Sequence, residues 1–199
     1  PDDPYLPLAG EWAGETSPYG PIWELLAAGV TIISGQSLLT SLLLFKAIAI
    51  VSHVATAVVI WYGGRQLPAT ARSAATLLWA WNPALLFMFV VDGHNDALMI
   101  FWLVAGYMLM KRKPVAGFLV AFLGVLTKPV ALLALPFLFA GRWRQMDDWS
   151  ERARFLVVAG IGSILLTMVS FAPLGSPLDL AARLLTCLLY TSPSPRDRT

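Results

Sequence analysis

Charge is scarce in this chain. Only 13% of its 199 residues are Asp, Glu, Lys or Arg, where a soluble globular domain carries roughly 25%. With 57% hydrophobic residues beside so few charges, an ordinary water-soluble fold is excluded. A single cysteine excludes an internal disulfide. The net charge of +2 is too small to suggest nucleic-acid binding, so what matters is how charge is shared between loops. No His, Cys, Asp and Glu cluster at ligand spacing announces a metal site. Asp92, His94 and Asp96 come nearest and are not read as one, and no cofactor is implied. There is also no internal repeat of the kind that marks inverted-repeat transporters. What the chain has instead is a mean hydropathy of +0.68, eight tryptophans and long uncharged runs. These describe a polytopic membrane protein, because only a bilayer solvates so much apolar surface.

The ends carry their own signals. The chain opens at Pro1 with no initiator methionine and no basic segment leading an apolar one, so no signal peptide is visible and the native start is expected upstream. At the other end, Cys187-Leu-Leu-Tyr-Thr-Ser-Pro-Ser-Pro-Arg-Asp197 resembles the in-frame translation of a sequencing-library adapter. Residues 187–199 are therefore expected to be a non-native tail, the alternative being a disordered Pro/Ser-rich one, and on either reading no function is assigned to Cys187, Tyr190, Arg196 or Arg198. The expected organisation is an external loop remnant over 1–21, a transmembrane helical region over 22–186, and the tail.

Uncharged runs cover 25–45, 47–64, 73–91, 97–110, 114–127, 129–141 and 155–178. The expected fold class is all-α, a polytopic transmembrane helical bundle. A full crossing takes about 20 residues at about 1.5 Å each, so the runs of 14, 14 and 13 residues are individually short. Basic loops supply sidedness, since short loops rich in Lys and Arg stay cytoplasmic. Three qualify: 65–72, the triplet Lys111, Arg112 and Lys113, and 142–154 with Arg142, Arg144, Arg152 and Arg154. The tip 92–96 then falls on the extracytoplasmic side. So does the tip of 114–141, which is too short for two full crossings and is expected to be a pair of half-length or tilted helices with Lys128 at membrane depth. Residues 1–21, with Asp2, Asp3, Glu11 and Glu15 and no basic residue, fall outside as well. Ser17 to Pro21, the 92–96 tip and Lys128 are thus expected on one side.

Several polar residues stand out against this apolar background. The tip Asp92-Gly-His-Asn-Asp96 packs two carboxylates, an imidazole and an amide into five positions. It reads either as a solvated turn or as a site, because ionisable groups bordering membrane helices tend to face a cavity, partner or substrate. A histidine beside carboxylates suits acid/base work or recognition of hydroxyls and phosphate. Asn95 and Asp96 also suit the start of a returning helix as caps. Lys128, in Leu-Thr-Lys-Pro-Val, either snorkels or meets an anion, and Pro129 breaks the helix beside it, freeing backbone groups to join Lys128. Asn82-Pro83 suggests a kinked span with Asn82 hydrogen-bonded to a neighbour. Lys46 and His53 lie seven residues apart and share a helix face. His53 is expected to be a packing residue, and Lys46 is a weaker candidate for phosphate. Trp12, Trp23, Trp61, Tyr62, Trp143 and Trp149 read as interfacial belts.

Taken together, Asp-Pro-Tyr5, Pro-Tyr-Gly-Pro21, Asn82-Pro83, Gly-His-Asn-Asp-Ala-Leu-Met99 and Leu-Thr-Lys-Pro129, in this order, resemble the membrane-embedded GT-C glycosyltransferases. The nearest likeness is to polyprenol-phosphate-mannose-dependent mannosyltransferases, over most of residues 1–140. The resemblance implies transfer of a hexose, mannose favoured, from a polyprenyl-phosphate donor to an extracytoplasmic glycan or glycolipid acceptor, with inversion at the anomeric carbon. It implies a multi-pass protein of the bacterial plasma membrane, with lipid but no nucleic acid as partner. It also implies that Tyr19 and Gly20 shape the cleft, that His94, Asn95 and Asp96 contact sugar or phosphate, and that Lys128 neutralises the leaving phosphate. The family's usual base is an aspartate of the first external loop. Asp2 and Asp3 do not match that position well, so the main base is expected upstream of Pro1, with Asp96 as the fallback candidate. Competing readings are a transporter or lipid-carrier flippase using the same polar groups, and a noncatalytic membrane subunit.

Overall fold

The computed structural model describes residues 17–176 and Leu178. Tyr5, Trp12 and the four N-terminal acids lie outside the described residues, as do Cys187, Tyr190, Arg196 and Arg198. The described residues are helical throughout and contain no strand.

Helix α1 (Pro21–Ser34) begins with proline at its first position, where a missing N–H costs nothing. It stops at Gly35, whose φ of 56° is accessible to glycine at little cost. Ser37 then caps α2 (Leu38–Gly63), its hydroxyl accepting from the Thr40 amide. The uncharged run 25–45 is therefore divided between two helices. Hydropathy registers its apolar content but not the stop and restart written in Gly35 and Ser37. Helix α3 (Ala69–Ala80) is followed by the short α4 (Pro83–Leu85). Asn82 restarts the chain between them, its Oδ1 accepting from the amides of Ala84 at 3.0 Å and Leu85 at 3.4 Å. The break expected at Asn82-Pro83 is present, and the partner of Asn82 is its own helix start. A π-helical turn (Leu86–Val91) completes this arm.

Helices α5 (Asp96–Met110) and α6 (Pro114–Thr127) form a hairpin, and α6 ends at the extended Lys128. A 3-10 turn (Pro129–Leu133) and α7 (Leu135–Trp143) follow, so 114–141 holds two short α-helices joined by that turn. Helix α8 (Trp149–Phe171) is capped by Asp148. The Ser150 hydroxyl and amide hydrogen bonds hold the Asp148 carboxyl below the usual carboxylate pKa.

Among the described residues, three helical segments are long and apolar enough to cross a membrane: Leu38–Gly63, Ala69–Val91 and Trp149–Phe171. Their large apolar side chains point outward, as at Val51, Leu78, Ile164 and Met168, the arrangement that lipid rather than water favours. Small residues make the closest contacts between α5 and α6. A Cβ on Gly106 would fall 2.4 Å from the Ala121 nitrogen, and one on Gly117 2.3 Å from the Met110 nitrogen. The α5 and α6 backbones therefore touch, the packing expected where burial from water does not drive association.

This hairpin fixes two ends. Gly63, the last residue of α2, lies against Met108 near the end of α5. Met146 and Phe155 pack with Val115 and Phe118 near the start of α6. The three basic loops thus gather at one end of the α5–α6 hairpin, while Asp96 and Lys128 lie at the other.

Gly106→Leu should force α5 and α6 apart, since backbone atoms occupy the space. A loss of at least about 1–3 kcal/mol is expected, read as a lower melting temperature in detergent. Gly160→Leu, where a Cβ would meet nothing within 4 Å, should melt with the parent protein. Equal melting of all three proteins would contradict this packing.

Candidate functional site

Lys128 lies between α6 and the 3-10 turn because Pro129 cannot continue the α-helical ladder. Its extended backbone directs the side chain to the first residue of α5. The ammonium donates to both oxygens of Asp96, at 2.8 and 3.0 Å. The pair is partly screened from solvent, with side-chain exposures of 27% for Lys128 and 19% for Asp96. His94 stands at the rim, with Nδ1 3.7 Å from the second Asp96 oxygen and half of its side chain exposed. The tip is turned by Gly93 at φ 75° and anchored by the His94 amide, which donates to Met88 O at 3.1 Å. From α2, the Lys46 ammonium donates to the Val91 carbonyl just before the tip.

The segment before α1 closes the other flank. The Gly20 amide donates to the Thr127 carbonyl at 3.0 Å. The approach is so close that a Cβ on Gly20 would fall 2.2 Å from the Leu126 oxygen. The Tyr19 ring is thereby placed over the ammonium of Lys128, 5.6 Å from Nζ to the ring centroid. Trp23 stands edge-on to Tyr19 at 6.2 Å and leans on Phe45 at 5.6 Å. Residues separated by more than a hundred positions thus meet around one ammonium.

Of the residues singled out in sequence, Tyr19, Gly20, His94, Asp96 and Lys128 come together here. Asn95 is buried beside them, with its Nδ2 lacking a hydrogen-bond partner. It occupies the cap position of α5 without making a side-chain cap bond, because its backbone is already helical. The expected capping role is corrected accordingly. At the break before Pro129, the Thr127 carbonyl is satisfied by the Gly20 amide. His53 packs as expected, stacked on Trp79 at 5.3 Å with Nε2 3.3 Å from Ala80 O.

Sequence reasoning missed Glu24, which accepts from the Ser17 hydroxyl in the first turn of α1. A carboxylate at a helix start next to Pro-Tyr-Gly-Pro21 was the available signal. The clasp between Gly20 and Thr127 had none, because its acceptor is a main-chain oxygen. Among the described residues, no three His, Cys, Asp or Glu side chains converge as a metal site.

Residues 6–144 match the family described as Alpha-(1->6)-mannopyranosyltransferase, N-terminal domain. The chain is 28% identical over 183 residues to alpha-(1->6)-mannopyranosyltransferase A of Mycobacterium tuberculosis, covering 89% of this chain and 35% of that protein. It is 27% identical over 135 residues to the protein of the same name in Corynebacterium glutamicum, covering 66% of this chain and 27% of that one. A probable alpha-(1->6)-mannopyranosyltransferase of Mycolicibacterium smegmatis is 27% identical over 178 residues, covering 88% of this chain and 28% of that protein. The chain thus spans about a third or less of the length of these curated relatives. No solved structure matches it significantly.

Gly20→Ala should break the clasp between the α1 entrance and the end of α6. A disulfide engineered between Tyr19→Cys and Leu126→Cys reports on it, forming readily when Gly20 is kept and several-fold more slowly when Gly20→Ala is added. Equal rates would mean that the two segments do not rely on that approach.

Proposed function

The chain belongs to the alpha-(1->6)-mannopyranosyltransferase family, and on that premise we propose that it forms the N-terminal, donor-handling part of a GT-C-type mannosyltransferase. The donor is a polyprenyl-phosphate mannose and the acceptor a glycan or glycolipid outside the cytoplasm. The protein is multi-pass, with the Arg65, Lys111 and Arg142 loops cytoplasmic and the Asp96–Lys128 end extracytoplasmic. This orientation is supported by the separation of the basic loops from the site along the α5–α6 hairpin.

The observation that carries the reading is the Lys128–Asp96 pair, placed at a helix break and covered by Tyr19. In the transfer, an acceptor hydroxyl oxygen attacks the anomeric carbon as its proton passes to a carboxylate base. The bond from that carbon to the phosphate oxygen breaks, and the phosphate departs with the electron pair. A fixed cation stabilises charge that develops only on departure, which lowers the barrier rather than merely tightening binding. Lys128 supplies that cation. Asp96 accepts from Lys128 through both oxygens, so it aims the ammonium, and taking up a proton would weaken that pair. His94, at the exposed rim, has a ring nitrogen free to meet phosphate or a sugar hydroxyl, and Asn95 offers an amide donor beside it.

In the full-length protein, His94→Ala, Asp96→Asn and Lys128→Ala should each lower mannosyl transfer, Lys128→Ala by at least about 100-fold, with membrane insertion intact. A pH–rate profile separates the roles open to Asp96. If it positions Lys128, Asp96→Asn lowers the rate and keeps the profile's shape; if it is the base, the acidic limb disappears. Undiminished transfer in all three variants would sink the site. Movement of the lipid-linked sugar across sealed vesicles with no new glycosidic bond would replace the transferase with a transporter.

A further inference from the structure

At the end of the hairpin remote from Lys128, the α2–α3 and α5–α6 loops lie side by side, because Gly63 packs against Met108. Between them they carry Arg65, Arg72, Lys111, Arg112 and Lys113. Neither 63–91 nor 97–146 contains a single Asp or Glu. Among the described residues none of the five cations pairs with a carboxylate, and Glu151 at this end is already held by Arg142 at 3.1 Å. Five positive charges therefore stand together with no carboxylate partner among the described residues.

Three of them are fixed against aromatic rings. Arg72 lies 4.0 Å from the Trp61 ring centroid, Arg65 4.7 Å from Tyr62 and Lys111 5.0 Å from Tyr107. Stacking uses the face of a guanidinium and leaves its edge N–H groups directed sideways, where they match the oxygens of a phosphate. The Arg72 Nε is itself buried with no hydrogen-bond partner. The rings belong to helix ends and mark headgroup depth in a bilayer. Beside the cations, Tyr62, Leu67 and Tyr107 are about half exposed, an apolar flank continuous with the lipid-facing surface.

We propose that these two loops form a binding site for an anionic phospholipid, the phosphate held by Arg65, Arg72 and the Lys111–Lys113 triplet and the acyl chains lying along α2 and α5. The site rests on the membrane placement of these helices and not on the transfer chemistry, which lies at the other end. A free polyanion shares the phosphate chemistry but has no use for the apolar flank, which favours the lipid.

The test uses the full-length protein in detergent, exposed to equimolar phosphatidylglycerol and phosphatidylcholine, with retained lipid counted by native mass spectrometry. Phosphatidylglycerol should be retained at least about ten-fold over phosphatidylcholine. The combined Arg65→Gln, Arg72→Gln and Lys111→Gln variant should lose most of that preference. Removing cytoplasmic cations can disturb insertion, so the parent protein supplies a second measurement. Its preference should fall steeply as salt rises from about 0.05 to about 0.5 M, as the charges become screened. Equal retention of the two lipids overturns the proposal, as does a preference indifferent to both salt and substitution. Displacement of the lipid by inorganic phosphate alone at comparable concentration overturns the lipid as occupant. Mannosyl transfer assayed in parallel keeps the two conclusions separate, since lipid preference is read whether or not transfer occurs.

Discussion

The backbone contact between α5 and α6 is what the rest of the structure depends on. Gly106 faces Gly117 and Ala121 with no room for a side chain on either glycine. From Gly106 back to Asp96 is ten residues, and Lys128 lies seven beyond Ala121 and eleven beyond Gly117. At about 1.5 Å per residue, both helices reach nearly the same level, where the carboxylate and the ammonium meet at 2.8 Å. Shift this register by one turn and the pair opens by about 5 Å, beyond the reach of a direct hydrogen bond.

Around that contact two breaks in the helices are satisfied by distant segments. Pro129 ends α6, and the Thr127 carbonyl left over is taken by Gly20. The π-helical turn before the tip ends at Val91, whose carbonyl is taken by Lys46. Unpaired main-chain groups are expensive where water is scarce, and these two breaks are each met by a distant partner. Those partners are what carry Tyr19 and the 92–96 tip to Lys128. The breaks therefore assemble the site as well as interrupt helices.

The two ends of the molecule divide the charge unequally. One holds an ion pair nearly neutral in sum, and the Tyr19 ring over its cation. The other holds basic loops whose cations rest on aromatic rings. A half-buried cation is tolerated beside Asp96 because the carboxylate offsets its desolvation. At the basic end Arg65, Arg72 and Lys111 lie over aromatic rings instead. The same residue type, lysine, thus serves different ends at Lys111 and Lys128 according to what surrounds it.

The sequence by itself determined that the chain is helical and lipid-facing, that its cations cluster in three loops, and that 114–141 is too short for two crossings. Each of these follows from local composition and from about 1.5 Å of rise per residue. The motifs at His94 and Lys128 were legible for the same reason, as polar residues and a helix breaker in an apolar background, whereas Tyr19 entered only through the family resemblance. Only the tertiary structure decided that Asp96 is the partner of Lys128, that Asn95 is buried without capping, and that Gly20 meets Thr127. These depend on which glycines let backbones touch and on main-chain acceptors such as Thr127 O. Such acceptors are identical in every residue, so sequence spacing cannot single them out.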